Sequence, residues 1–309
     1  MGEFLVKGDY KKSGLDFLIC GRMDNLAVGS CRYSSLLNES GGVIDDLIVY
    51  RKAPEEWMIV VNAATIEKDK KHFLSHLTKD AQFFDLSERF GKIDLQGPLA
   101  RDIIRTIAPA ACGLKYYTFI ETNILGEKNI VSRTGYTGEL GFEIYASLDK
   151  IVSVWQKLLR DERVKPAGLG ARDVLRLEMG YSLYGQDIDE EITPLEAGLE
   201  KFIDFSKSFL GKKTLLKKNL SEFQRTRIFL KSLSRRSPRH NHRIYADNKE
   251  CGFITSGTFS PHTESGIGMG FVDGRNLSLG AKIDVGTADL KIEAVITDKP
   301  FVKSTSLKD

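Results

Sequence analysis

The sequence has no long apolar run, no paired cysteine motif and no strong charge imbalance. No apolar segment approaches the roughly 18 residues that a membrane-spanning helix needs, and the N-terminus lacks the apolar core of a signal peptide. Its four cysteines have no CxxC spacing, so neither a disulfide framework nor a zinc site is expected. A net charge of +3 over 309 residues does not favour nucleic acid. We therefore expect no membrane segment, metal centre or nucleic-acid partner, and a reducing compartment.

Common catalytic and nucleotide motifs are also missing. Gly168 and Gly170 begin a glycine-rich turn, but Asp173 stands where a dinucleotide-binding loop needs its third glycine. The sequence contains no P-loop, no GxSxG and no HExxH. The one basic cluster, residues 235–243, has few aromatic side chains to stack on bases. We interpret this cluster as a solvated hairpin loop.

The order of predicted elements favours two domains of different types. In the first two thirds of the chain, strands and helices alternate without regular βαβ repeats, which is typical of an α+β fold. A basic, helix-like connector at residues 212–218 precedes a change to short strands and turns, as in a small β barrel. We predict a first domain at residues 1–222 and a second at residues 223–309.

Two adjacent carboxylates, Asp45 and Asp46, interrupt a predicted strand at residues 43–50. A short turn joins it to a second strand at residues 57–62, which indicates an antiparallel pair. Adjacent residues in a strand point to opposite faces, and aspartate is uncommon in strands. Either the strand lies at a sheet edge or bulge with both carboxylates solvated, or one carboxylate points into a pocket. The residues alone leave both possibilities open.

A second group of polar residues involves a strand at residues 142–145 and a helix at residues 171–179. A carboxylate accepts two parallel hydrogen bonds from a planar donor edge, which a guanidinium or a pterin ring offers. Glu143 therefore fits either an internal ion pair with Arg172 or a ligand contact. The helix leads into a segment with five carboxylates between residues 187 and 196, which is either a solvated loop or part of a site.

Nine blocks of the sequence resemble the T-protein of the glycine cleavage system, the aminomethyltransferase family. Single blocks are moderately specific, but together they follow the family order across nearly the whole chain. The blocks are MGEFLVKG (1–8), NESGGVIDDLIVY (38–50), VVNAA (60–64), QGP (96–98), RTGYTGELGFEI (133–144), AGLGARDVLRLE (167–178), LYGQDIDEEITPLE (183–196), TSGTFSP (255–261) and PFV (300–302).

The resemblance implies a multi-lobed, α+β folate-binding domain followed by a small C-terminal β barrel, arranged like a cloverleaf around tetrahydrofolate. It implies transfer of a one-carbon unit from the aminomethyl-lipoyl arm of the H-protein to tetrahydrofolate, with release of ammonia. By match to the family pattern, Asp46 would be the catalytic carboxylate. Glu143 would hold the pterin, Arg172 would contact the substrate, and Tyr33 and Asn62 would line the folate pocket. The location would be the cytoplasm in a bacterium or the mitochondrial matrix in a eukaryote.

Two departures from the family pattern affect these expectations. Family members usually begin about fifty residues earlier, so either the chain is truncated or its start has been placed too late. In both cases the missing part would belong to the folate-binding domain. Residues 303–306 lack the Tyr or Arg that some relatives carry after Pro-Phe, so a folate contact there is expected to be absent.

Two other functions are a folate-dependent demethylase of the same superfamily, which the intact motifs disfavour, and a non-catalytic folate-binding protein. Residues 182–186 contain no Cys, unlike the related iron–sulfur assembly factors.

Overall fold

The computed structural model describes residues 1–217, 225–274, 277–304 and 306–307, and three β-sheets form three lobes within them. The helices are α1 (Leu15–Leu18), α2 (Ile66–His76), α3 (Ala100–Arg105), α4 (Leu148–Leu159), α5 (Leu169–Glu178) and α6 (Lys212–Lys217). The strands are β1 (Gly2–Lys7), β2 (Cys31–Leu37), β3 (Val43–Ala53), β4 (Glu56–Val61), β5 (Gln82–Asp85), β6 (Phe90–Gln96), β7 (Phe119–Ile124), β8 (Glu127–Ser132), β9 (Gly141–Ser147), β10 (Arg225–Ser232), β11 (Arg243–Ala246), β12 (Lys249–Ser260), β13 (Ser265–Asp273), β14 (Lys282–Gly286) and β15 (Lys291–Thr297).

The first lobe is a five-stranded sheet in the order β2-β3-β4-β1-β5. The predicted antiparallel pair is confirmed as β3 and β4, with Ile48 opposite Val60. Because side chains alternate along β3, Leu47 and Val49 enter a core that also contains Phe73 of α2. Since β3 has a neighbour on each side, the alternative of an edge strand with two solvated aspartates is wrong.

The second lobe is a four-stranded sheet in the order β6-β9-β8-β7. Its central strand β9 is buried on both faces. Phe142 and Ile144 enter the core that α3 and α4 cover, whereas Tyr145 packs against Tyr50 of the first lobe. The sequence patterns did not predict β6, although Ile93 and Leu95 alternate with polar residues there. This strand supplies two charged groups to the region between the first two lobes.

The third lobe is a closed six-stranded barrel in the order β10-β13-β12-β11-β14-β15, as the strand pattern predicted. The prediction of a hairpin at residues 235–243 is wrong, because β10 and β11 are not neighbours in the barrel. The segment is mostly solvent-exposed, and Arg235 lies over the ring of Phe259 at 4.6 Å. The predicted boundary between residues 222 and 223 lies outside the described residues, as does residue 218 of the predicted connector.

The segment after α5 joins the first lobe to the barrel. Ile188 and Ile192 pack with Val43 of β3 and Phe271 of β13 in one apolar cluster. The simple alternative of a solvated acidic loop is therefore wrong for this segment, although some of its carboxylates are exposed. The structure confirms the expected α+β fold with a C-terminal barrel, arranged as a cloverleaf of three lobes. No helix in the described ranges is long and apolar enough to cross a bilayer.

Candidate active site

Asp46 lies on β3 beside Tyr33, which packs on the apolar cluster shared with the barrel, and two neutral donors hold its carboxylate. Tyr33 of β2 donates its hydroxyl to Asp46 Oδ2 at 2.9 Å. Asn62, which directly follows β4, donates its side-chain amide to Asp46 Oδ1 at 2.8 Å. Antiparallel pairing puts the three side chains together, because Ser35 lies opposite Asp46 and Ile48 opposite Val60. The structure thus brings together three of the five residues predicted for the site.

The Asp46 carboxyl group binds a proton more tightly than an ordinary aspartate does. Burial and then the neighbouring Asp45 carboxylate raise the pKa of Asp46 to about 6, although the bonds from Tyr33 and Asn62 oppose the rise. A carboxylate with a pKa close to the working pH both stabilises nearby positive charge and exchanges a proton. Asp46 is therefore suited to act on an amine that gains and loses charge.

Asp45 faces the opposite side of the sheet and is fully buried. It accepts hydrogen bonds from the Asn62 backbone at 3.0 Å, the Asn62 amide at 2.8 Å and the Thr65 hydroxyl at 2.8 Å. Asp46 is half-buried, so neither carboxylate of the pair is fully exposed to solvent. Asn62 contacts both carboxylates because it continues β4 beside β3. One amide side chain thus links the two faces of the sheet.

Glu143 of β9 lies in a second polar cluster and is 3% exposed. Its Oε2 accepts hydrogen bonds from Thr134 at 2.7 Å and Tyr145 at 3.2 Å, with the Tyr50 hydroxyl at 3.4 Å. Its Oε1 forms an ion pair with Lys92 at 2.6 Å. To accept two parallel hydrogen bonds from a planar ligand edge, Glu143 would need a free lone pair on each carboxylate oxygen. The three hydroxyl donors occupy Oε2, so only Oε1 can accept a further hydrogen bond.

Arg172 of α5 does not pair with Glu143, so the expected alternative of a direct ion pair is wrong. Arg172 donates instead to Asp94 of β6 at 2.8 Å. Lys92 lies between the two, 3.3 Å from Asp94 and 2.6 Å from Glu143. Although burial opposes its ionisation, Lys92 and then Arg172 hold the pKa of the Asp94 carboxyl below its usual value. The four side chains form a row of alternating charges.

The Arg172 guanidinium remains accessible from solvent. Its side chain is 39% exposed, and it lies 4.7 Å from the ring centroid of Tyr136. The Tyr136 ring in turn stacks on Tyr181 with a centroid distance of 5.8 Å. A partly exposed cation beside aromatic faces can bind an anionic group and a flat ring at the same place.

Arg176, one turn further along α5, is 1% exposed. It forms ion pairs with Asp187 and Asp173, both at 2.7 Å, and donates to Ser256 of the barrel at 2.7 Å. Asp187 is also fully buried and accepts a bond from Thr255. This cluster fixes α5, which carries Arg172, against the barrel.

Two family models together match nearly the whole chain. The GCVT N-terminal domain matches residues 1–207, and the glycine cleavage T-protein C-terminal barrel domain matches residues 225–303. The chain belongs to the glycine cleavage T-protein family. The resemblance drawn from the nine sequence blocks is therefore confirmed, while the division at residues 222 and 223 stays a prediction.

Individual T-protein relatives support the same conclusion over both domains. The aminomethyltransferase of Pseudothermotoga lettingae is 40% identical and aligns with 99% of this chain and 85% of its own length. That of Thermosipho melanesiensis is 41% identical, with 99% and 84% covered. The crystal structure of glycine cleavage system aminomethyltransferase T from Bartonella henselae gives a TM-score of 0.90 at 30% identity, covering 98% of this chain and 84% of that one. The predicted aminomethyltransferase of the glycine cleavage system is confirmed at the level of the family.

Several polar residues around the T-protein site were missed from the sequence. Lys92 and Asp94 lie on the unpredicted strand β6, where polar and apolar residues alternate. Asp69 of α2 is fully buried near Asp45, and its position on a short amphipathic helix gave no signal. Within the described residues, no group of three or more His, Cys, Asp or Glu side chains is placed to hold a metal ion.

Proposed function

We propose that this chain moves the one-carbon unit from the aminomethyl-dihydrolipoyl arm of the H-protein to tetrahydrofolate, with release of ammonia, and that Asp46 is its catalytic carboxylate. The observation that carries the proposal is the half-buried Asp46, held by Tyr33 and Asn62. Membership of the glycine cleavage T-protein family supports the reaction. The bacterial origin of the similar aminomethyltransferases supports a cytoplasmic location.

The residues of the Asp46 and Glu143 clusters fit a folate by their chemistry. Glu143 Oε1 offers an acceptor for a pterin N–H, the Tyr136 ring offers an aromatic face, and the exposed Arg172 guanidinium offers a cation for a carboxylate. Tyr33 and Asn62 would shape the pocket at Asp46. Tetrahydrofolate, when bound, supplies the nitrogen that takes up the one-carbon unit. We assign no folate contact to residues 303–306.

Asp46 acts through its charge and its proton affinity. Its carboxylate stabilises the positive charge that develops on the one-carbon unit as its bonds to the amine nitrogen and to the lipoyl sulfur are broken, which frees ammonia and the dihydrolipoyl thiol. With a pKa of about 6, it can also take a proton from the attacking nitrogen and pass it to the departing ammonia. Tyr33 and Asn62 keep both carboxylate oxygens oriented, so little reorganisation is needed during the reaction.

The pH dependence of the reaction follows from this assignment. Because the ionised carboxylate is the active form, kcat/KM is expected to fall about tenfold per pH unit below the Asp46 pKa of about 6. Tyr33→Phe removes a donor that favours the ionised form, so the midpoint should move to higher pH. Steady-state rates between pH 5 and 8 measure both profiles. An unchanged midpoint in Tyr33→Phe would contradict the assignment.

Arg172→Met is expected to weaken tetrahydrofolate binding about 10- to 150-fold, since a hydrogen bond to a charged group contributes about 1.5–3 kcal/mol. The fold should tolerate the change, because the Arg172–Asp94 pair is partly exposed. Arg105→Met is the matched control, since Arg105 pairs with Asp102 at 3.0 Å on the surface of α3. Calorimetric titration measures both affinities, and equal affinities would remove Arg172 from the binding site.

The proposed reaction is tested with the purified chain, tetrahydrofolate and H-protein that carries the aminomethyl-dihydrolipoyl group. Release of ammonia that depends on all three components is the expected result. Ammonia release without tetrahydrofolate would argue against a folate acceptor. Turnover of a methylated amine in place of the loaded H-protein would favour the demethylase, and folate binding without either turnover would favour a non-catalytic protein.

A further inference from the structure

Asp69 lies on α2, behind the contact between Asp45 and Asn62, and its side chain is inaccessible to solvent. Among the described residues, no donor is paired with either of its carboxyl oxygens. Thr65 lies close enough to lower the Asp69 pKa slightly, but its hydroxyl has one proton and donates to Asp45 at 2.8 Å. An ionised carboxylate in this position would be a buried charge without compensation, which is very unfavourable. A neutral carboxyl group costs less and supplies an O–H donor of its own.

Asp45 is the acceptor for that donor. Three hydrogen bonds already reach its two oxygens, from the backbone and amide of Asn62 and from the hydroxyl of Thr65. A carboxylate has about four lone-pair positions, so one remains for Asp69, which is close enough to Asp45 for Asp45 to raise its pKa. The absence of a paired donor favours the neutral form of Asp69. Its proton is then available for the free lone pair of Asp45.

The nearest cation does not neutralise Asp69. Lys68 precedes it on α2, but the ammonium group of Lys68 donates to Tyr184 and Glu190. These contacts connect Lys68 to the segment after α5. Lys68 therefore lowers the Asp69 pKa only weakly, by less than burial and Asp45 raise it.

His72 lies three residues further along α2, and it carries no compensating charge. Burial lowers the pKa of the His72 imidazole to about 4, so the ring is neutral at pH 7. Burial and then the contacts with Asp45 raise the pKa of Asp69 to about 9. The charge balance around α2 thus agrees with the hydrogen-bond geometry.

We propose that Asp69 is a positioning residue for the transfer reaction, which keeps its proton at neutral pH and donates it to Asp45. Asp45 then holds the Asn62 amide in the orientation that supports Asp46. The same amide nitrogen contacts Asp45 Oδ1 and Asp46 Oδ1, each at 2.8 Å, so a rotation of Asn62 would displace both contacts. The inference rests on the role proposed for Asp46, but the protonation of Asp69 can be measured without it.

The first test compares the stability of the wild-type chain and Asp69→Asn across pH. Aspartate has a pKa of 3.8 when unperturbed, whereas folded Asp69 keeps its proton up to about pH 9. Between these values the folded state binds one more proton than the unfolded state, so Asp69 makes the folding equilibrium constant fall about tenfold per pH unit. An asparagine amide can donate a hydrogen bond but does not ionise between these pH values. Asp69→Asn should therefore gain stability over the wild type progressively from about pH 4 to about pH 9.

Chemical unfolding at a series of pH values measures this difference, and parallel curves for the two proteins would overturn the proposal. Infrared spectroscopy supplies a second measurement on the same samples. At pH 8 Asp46 is ionised, and the wild type should show a protonated carboxyl band that Asp69→Asn lacks. The presence of that band in both proteins, or in neither, would also overturn it. Neither measurement requires turnover, so an error in the proposed function would leave the result readable.

The second test measures the positioning role. Asp69→Asn should keep kcat and KM within about threefold of the wild type at pH 7.5, whereas Asp69→Leu, which cannot donate, should lose about tenfold or more in kcat. Above pH 9 the wild type should lose activity while Asp69→Asn retains it. An equal loss in the asparagine and leucine variants would reject the donor role. If Asp46→Asn proved fully active, the proposed function would fail while the stability test still decided the protonation of Asp69.

Discussion

Replacement of Asp46 with asparagine is expected to lower the rate of aminomethyl transfer by about 10²- to 10⁴-fold, the usual contribution of a general acid–base group. The shape of the side chain is kept, but its negative charge and its exchangeable proton are lost. The hydrogen bonds can survive, because Asn62 still finds an oxygen and the Tyr33 hydroxyl can turn to accept from the new amide. Steady-state assays of ammonia release measure this loss of rate.

Binding and stability distinguish this loss from a misfolded site. Asp46→Asn should bind tetrahydrofolate, and its unfolding temperature should equal or exceed that of the wild type, because a partly desolvated charge has been removed. Asp102→Asn, on an exposed face of α3, is the matched control and should leave the rate unchanged. Activity within a few-fold of wild type in Asp46→Asn would exclude Asp46 as the catalytic carboxylate.

Arg176→Met is expected to destabilise the protein by about 3–5 kcal/mol, the usual cost of removing one partner from a buried ion pair. The methionine fills a similar volume but leaves the fully buried Asp187 carboxylate without its cation. It also leaves Ser256 of the barrel without the bond that joins it to α5. The shift of the urea unfolding midpoint measures this cost.

Two comparisons test the cause of this destabilisation. Arg172→Met changes the same residue type on the same helix, but its ion pair is partly exposed and should cost at most about 1 kcal/mol. Adding Asp187→Asn to Arg176→Met removes the stranded charge and keeps an oxygen for Thr255, so part of the stability should return. If Arg176→Met were as stable as Arg172→Met, the buried cluster would not hold α5 to the barrel.

The sequence predicted the antiparallel pair of β3 and β4 and all six barrel strands. These elements have apolar residues at a regular period and turn residues between them, which is information local to each segment. The strand β6 was missed although Lys92, Ile93, Asp94 and Leu95 alternate between polar and apolar residues. Its apolar residues are few, and half of the alternating pattern consists of charged side chains that are uncommon in strands.

For the candidate site, the sequence predicted the residues more accurately than it predicted the contacts between them. Asp46, Tyr33 and Asn62 are adjacent as the family match implied. Their roles, and those of Glu143 and Arg172, remain predictions that the experiments above address. The ion pair considered between Glu143 and Arg172 is replaced by two separate pairs through Lys92 and Asp94. These two residues come from a strand about fifty residues away from Glu143 in the sequence.

The sequence by itself determined the family, the α+β and barrel classes of the two domains, and the residue types available for chemistry. Hydrophobic period and motif order carry this information without any knowledge of the packed chain. Only the tertiary structure decided which charges are compensated. The pairing of Glu143 with Lys92, the burial of Arg176 against Asp187 and the contact of Asp69 with Asp45 depend on which surfaces face each other. Burial and distance set the free energy of each charge, and neither is a property of the local sequence.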